Sequence, residues 1–122
     1  MEISREENSS GYRRISIREA KILIDNNPDI TIADIRDGKF FNESNIPNSV
    51  HVTSESIEKF LKTTQKENPL LIYCYHGVNS RESADYFVKE GFKTVYSMDG
   101  GFSDYSKQFE IRKELDTKIE KG

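Results

Sequence analysis

The chain has 122 residues, the size of a single domain that buries about two thirds of its unfolded surface. Its 34% hydrophobic and 32% charged content suits an ordinary globular domain, and its 18 basic and 21 acidic residues are interspersed to a net charge of -3, which leaves no basic stripe for nucleic acid. No apolar run reaches membrane-span length, the first residues lack the apolar core of a signal peptide, and one cysteine with two histidines, His51 and His76, excludes both an internal disulfide and a closed protein zinc site. The composition therefore leads us to expect no metal, no organic cofactor, no nucleic acid and no membrane partner, and a reducing cytoplasm that keeps the thiol available.

Residues 1 to 11 are polar and carry Asn8-Ser9-Ser10-Gly11, which predicts a flexible leader. Ser16 with Glu19 three residues on has the form of a capping box, and Ala20, Ile22, Leu23 and Ile24 continue a helix that Asn26-Asn27-Pro28 ends. Ile30 to Ile35 is rich in β-branched residues and reads as a buried strand, with Asp34 and Arg36 at its carboxyl end. Gly38 to Phe41 reads as a short helical turn in a loop that runs through Ile46-Pro47, and Ser49 to Val52 as a short strand. Ser54 to Lys62 repeats the capped amphipathic pattern, with Ile57, Phe60 and Leu61 on one face.

The next stretch organises the rest. Leu70-Leu71-Ile72-Tyr73 follows Asn68-Pro69 as an uncharged run suited to a strand buried on both faces, and it ends abruptly on Cys74. A short polar loop, Tyr75-His76-Gly77-Val78-Asn79-Ser80, hands over to a helix beginning at Arg81, with Ala84, Phe87 and Val88 on one face and Gly91 as its stop. Cys74 is thus expected at the carboxyl end of a strand, where ligands bind in open α/β sheets. The following helix N-terminus and a loop that turns its N-H groups inward favour an anion, and such a setting favours the thiolate. The pattern predicts a nucleophilic thiolate in an anion-binding cradle. The plainer alternative is a small buried structural cysteine.

Thr94 to Tyr96 reads as a last short strand and Asp99-Gly100-Gly101 as a turn into Phe102 to Tyr105. Residues 110 to 122 are dense in charge, with Ile111, Leu115 and Ile119 at every fourth position, the spacing of a narrow helical stripe. Helices alternating with short buried strands predict an α/β fold, a mostly parallel central sheet of about five strands with helices on both faces.

Residues Cys74-Tyr75-His76-Gly77 with Asn79-Ser80, Asp34-Ile35-Arg36-Asp37, Ile46-Pro47 and Tyr96-Ser97-Met98-Asp99-Gly100-Gly101-Phe102 together resemble the rhodanese family, with the motifs in family order over roughly residues 12 to 109. Ser44 and Asn45 depart from the Gly-His of the family's second motif, and Tyr105 stands where a tryptophan is usual. The resemblance implies the rhodanese-like three-layer fold. It also implies sulfur transfer by double displacement, in which Cys74 takes the outer sulfur of thiosulfate and holds it as a persulfide for an acceptor such as cyanide or a dithiol, thioredoxin being one candidate. On that reading Cys74 is the nucleophile, the backbone from Tyr75 through Ser80 cradles the persulfide, and Arg81 stands at the substrate rim, with an exposed helix-start residue as the equal alternative. Arg36 is read first as a structural pair to a nearby carboxylate and second as a further rim residue, and Asp34 as structural. His76 is expected to point outward, and His51 to be a strand-end residue.

Two rival readings remain at this point. A phosphatase of the Cys-x5-Arg kind needs arginine at position 80, which is Ser80, and Arg81 falls one residue late. A non-enzymatic persulfide carrier or binding module shares the same loaded cysteine, and the sequence does not separate it from an enzyme.

Overall fold

In the computed structural model, residues 11–113 are described. Strands β1 (Arg13–Ile15), β2 (Thr31–Asp34), β4 (Val50–His51), β5 (Leu70–Tyr73) and β6 (Val95–Met98) form a five-stranded sheet in the order β1-β6-β5-β2-β4, every pairing parallel. Helices α1 (Ile17–Asn26), α2 (Gly38–Glu43), α3 (Ile57–Thr63), α4 (Asn79–Lys89) and α5 (Gly101–Gln108) lie between and beyond the strands. Parallel pairing needs a crossover for each strand, and the crossover helices cover both faces.

The two faces bury separate apolar cores. Leu71 and Tyr73 of β5 point towards α1 and α5, where they meet Ala20, Phe102 and Tyr105. Leu70 and Ile72 point the other way, onto Phe60 of α3 and Ala84 and Phe87 of α4. Strand β5 is fully buried along its length, as its uncharged run predicts. The register Asp34↔Tyr73 then fixes which residues meet at the carboxyl rim.

Local chemistry explains the element boundaries. Ser16 Oγ accepts from Glu19 N at 3.1 Å while Glu19 Oε1 accepts from Ser16 N at 2.9 Å, so the predicted capping box starts α1. Helix α3 begins at Ile57, later than the expected Ser54. Ser56 Oγ accepts from Thr53 N and Thr53 Oγ1 from Glu55 N, a side-chain turn that competes with the helix.

The helical stripe expected over 110–122 is not formed in the described part of that segment. Arg112–Lys113 is strand β7, antiparallel to β3 (Ser44–Asn45), and Ile111 packs against the α1/α5 core. Leu115 and Ile119 lie outside the described residues, as do residues 1–10 of the expected leader. Gly11 already rests against Val88 of α4. Among the described residues no helix is long and apolar enough to cross a membrane.

Candidate active site

Cys74 follows β5 directly, 5% exposed and free of any disulfide. Its Sγ accepts two backbone N-H donors, from Gly77 at 3.1 Å and from Ser80 at 3.3 Å. The chain makes this possible by curling through four bends from Tyr75 to Val78 and entering α4 at Asn79. The helix thus begins two residues earlier than the sequence suggests. Ser80 N is therefore a first-turn helix donor, one of the groups that has no carbonyl partner within its own helix. The positive end of the α4 dipole adds to the attraction for an anion at the sulfur.

Of the six predicted cradle residues, Gly77 and Ser80 touch Sγ through their backbones. The side chains of Tyr75, His76, Val78 and Asn79 are exposed. His76 points outward as expected, edge-on to the Tyr75 ring at 4.6 Å, and Phe40 stacks on that ring at 6.1 Å. Gly77 has φ +91, and a Cβ there would sit 2.6 Å from Gly100 N and 2.9 Å from Met98 O. Only glycine suits this combination of left-handed backbone and close approach.

The loop is gripped from beneath by features to which the sequence reading assigned no role. Phe102 N donates to Cys74 O and Ser103 N to Tyr75 O, both at 2.9 Å. The first turn of α5 thereby takes up two carbonyls, while the N-H groups of Gly77 and Ser80 turn towards the sulfur. The hydroxyls of Ser80 and Ser97, both fully buried, share a 2.7 Å hydrogen bond that ties the α4 N-terminus to β6. The available signal was the Ser97-to-Phe102 segment itself, whose polar and glycine residues sit where a buried strand ends.

The two predicted rim arginines fare differently. Arg81, half-buried in the first turn of α4, places Nε 3.3 Å from Gly77 O, so it braces the loop from the cysteine's side of the sheet. Arg36 takes the structural role, paired with Asp34 and off the rim. Its side chain is 3% exposed and its Nη2 lies 2.7 Å from Asp34 Oδ2 and 2.6 Å from Ser44 O, with the guanidinium 4.0 Å over the Phe102 ring. Strand alternation gives the reason: Asp34 is two residues from Ile32 of the α1/α5 core, so it and its partner arginine face that layer, away from Cys74. His51 is structural as expected, with Nε2 2.6 Å from Arg36 O and its ring stacked on Phe41. Tyr73 joins this polar cluster; its hydroxyl accepts from Ile46 N at 3.1 Å and lies 3.3 Å from Ser49 Oγ. Burial, reinforced by the Asp34 charge, holds that phenol above its ordinary pKa.

A single strand-loop-helix cysteine cradle, in a parallel sheet covered on both faces, defines the class. The rhodanese-like domain model matches residues 16–108, and the chain belongs to that family. More particularly, it is 40% identical over 94 residues to the thiosulfate sulfurtransferase GlpE of Coxiella burnetii, covering 77% of this chain and 87% of that protein. It is 40% identical over 99 residues to the protein of the same name from Actinobacillus pleuropneumoniae, covering 81% and 91%. Among solved structures, the BH2092 protein of Bacillus halodurans superposes with a TM-score of 0.74 at 24% identity, over 93% of this chain and 85% of that one; this likeness concerns the fold.

Proposed function

We propose that this chain is a thiosulfate sulfurtransferase that carries sulfane sulfur on Cys74. Membership of the rhodanese-like family and the shared name of its relatives support the enzyme class. The observation that carries the mechanism is the pair of backbone donors on Cys74 Sγ.

In the first step the Cys74 thiolate attacks the outer sulfur of thiosulfate. The new bond is Cys74 S-S, the S-S bond of thiosulfate breaks, and sulfite leaves with the electron pair. The persulfide keeps one negative charge on its outer sulfur, and the inward-turned N-H groups of Gly77 and Ser80 stabilise it without reorganising. In the second step an acceptor nucleophile, cyanide or a thiol, attacks that outer sulfur and regenerates the thiolate. Arg81 is the cation that draws the thiosulfate dianion to the rim, and its hold on Gly77 O keeps the loop closed around the sulfur. Neither step requires a metal or an external oxidant.

Initial rates with thiosulfate and cyanide varied together test this. Parallel double-reciprocal lines are expected for two half-reactions that share a covalent intermediate. Cys74→Ser is expected to lose at least about a hundredfold in kcat/KM. Intersecting lines, or a Cys74→Ser variant that keeps its activity, would overturn the proposal. Loading without discharge to any small acceptor would turn the reading to a carrier.

A further inference from the structure

The face of the sheet that presents Sγ also presents a cavity, and its chemistry differs from that of the cradle. Leu70 and Ile72 face the α3/α4 core while Leu71 and Tyr73 face the opposite one, so alternation sends Cys74 to the α3/α4 side. Ile35 continues β2 beyond the Asp34↔Tyr73 pair, with Ile35 N donating to Tyr73 O at 3.1 Å. It therefore lies beside Cys74 on the neighbouring strand, and it packs against the same α3/α4 core.

Ile35 is one wall of a cavity of about 430 Å³, closed further by Val52, Ile57, Tyr86 and Phe87, within the size range of small-molecule sites. Ser83 also lines it, one helical turn along α4 from Ser80, whose N-H is on Sγ. Glu82 is the charged residue of its lining, and among the described residues no lysine or arginine joins it there. The cradle is built from N-H donors at a helix N-terminus and suits an anion. The cavity sets five apolar or aromatic side chains beside the hydroxyls of Thr53, Ser54 and Ser83, with the Glu82 carboxylate as its one charge, so it disfavours one.

We infer that this cavity holds the body of the sulfur acceptor, a low-molecular-weight thiol whose apolar part is neutral or cationic, leaving its sulfur to reach the Cys74 persulfide. This rests on the sulfurtransferase reading above. In the step itself the acceptor thiolate attacks the outer sulfur; the acceptor S-S bond forms, the Cys74 S-S bond breaks, and Cys74 leaves as thiolate. The acceptor's thiol proton goes to solvent and no net oxidation occurs. Donor and acceptor then occupy adjoining sites of opposite preference, anionic at the loop and apolar beside it.

Three acceptors of one shape separate the outcomes: benzyl mercaptan and its para-aminomethyl and para-carboxy derivatives, whose remote substituents leave the thiol's basicity nearly unchanged. Cys74 is first loaded with thiosulfate and checked by intact mass, excess donor is removed, and single-turnover discharge is followed. Neutral and cationic thiols are expected to reach half-maximal rate at concentrations about tenfold below the carboxylate, and Glu82→Lys to narrow or reverse that order. Equal dependence for all three, unmoved by Glu82→Lys, would overturn the inference. A protein that does not load refutes the sulfurtransferase reading instead, and methyl NMR then tests the cavity alone. Benzylamine is expected to shift Ile35, Ile57 and Val52 methyls where benzoate does not, and no shift with benzylamine would remove the cavity as a binding site.

Discussion

Cys74 and Arg36 both stand just beyond the carboxyl ends of neighbouring strands, yet their side chains serve opposite layers. The sulfur turns towards α4 and its free N-H groups, whereas the guanidinium is spent on Asp34, the Ser44 carbonyl and the Phe102 ring. The position of Cys74 was legible because an uncharged run stops on it and a glycine-bearing loop follows. The side on which Arg36 falls was not, because strand parity relative to the cysteine depends on the Asp34↔Tyr73 register, which no single segment encodes. Removing the guanidinium leaves a fully buried carboxylate without its countercharge, held by the backbone N-H of residue 36 at 2.8 Å. Arg36→Ala is accordingly expected to lose about 3–5 kcal/mol in urea unfolding, and a loss below about 1 kcal/mol would show that Asp34 is relieved some other way.

Among the elements, α4 and α5 cooperate across the sulfur. Helix α4 supplies the donor from its first turn, and α5 takes the carbonyls of Cys74 and Tyr75 onto Phe102 N and Ser103 N. The approach depends on Gly101 at φ +64, where a Cβ would come within 2.7 Å of Cys74 O and closer still to Tyr75 O. Gly101→Ala must displace the loop backbone, because neither atom belongs to a flexible side chain. A shift on the order of 1 Å is enough to reduce kcat/KM for thiosulfate by tenfold or more. Unchanged kinetics and melting temperature would show that the turn does not position the loop. The long, periodic or uncharged segments, α1, β2, β5 and α4, were legible as elements. Strands β1, β3 and β7 were not, since they span two or three residues with mostly polar side chains, exposed in β7 and at Arg13 and Arg14 of β1, and exist through pairing rather than propensity. The Ser80–Ser97 bond escaped for a related reason: it joins hydroxyls 17 positions apart, and each taken alone reads as an ordinary loop or strand serine.

For the molecule as a whole, the parallel sheet with two cores fixes the rim on which all of this chemistry rests, and the same burial sets its alkaline limit. Burial, then the Asp25 charge, holds Tyr105 up to about 12, and Tyr73 is raised above its ordinary value by burial and Asp34. Unfolding returns both phenols to an ordinary pKa of about 10, so above that pH the unfolded chain binds fewer protons than the folded one. Their contribution is fully present below about pH 10 and lost as pH rises towards 12. Stability measured by denaturant is thus expected to fall across that window, and Tyr105→Phe to flatten the fall. A pH-independent stability there would contradict the burial of these phenols.

The central claim is that Cys74 carries the sulfur, and the intact mass of the protein after incubation with thiosulfate tests it most directly. A gain of one sulfur atom, reversed by a thiol reductant and absent from Cys74→Ser, is the result expected of the loaded cradle. An unchanged mass in the native protein, or the same gain in Cys74→Ser, would contradict it.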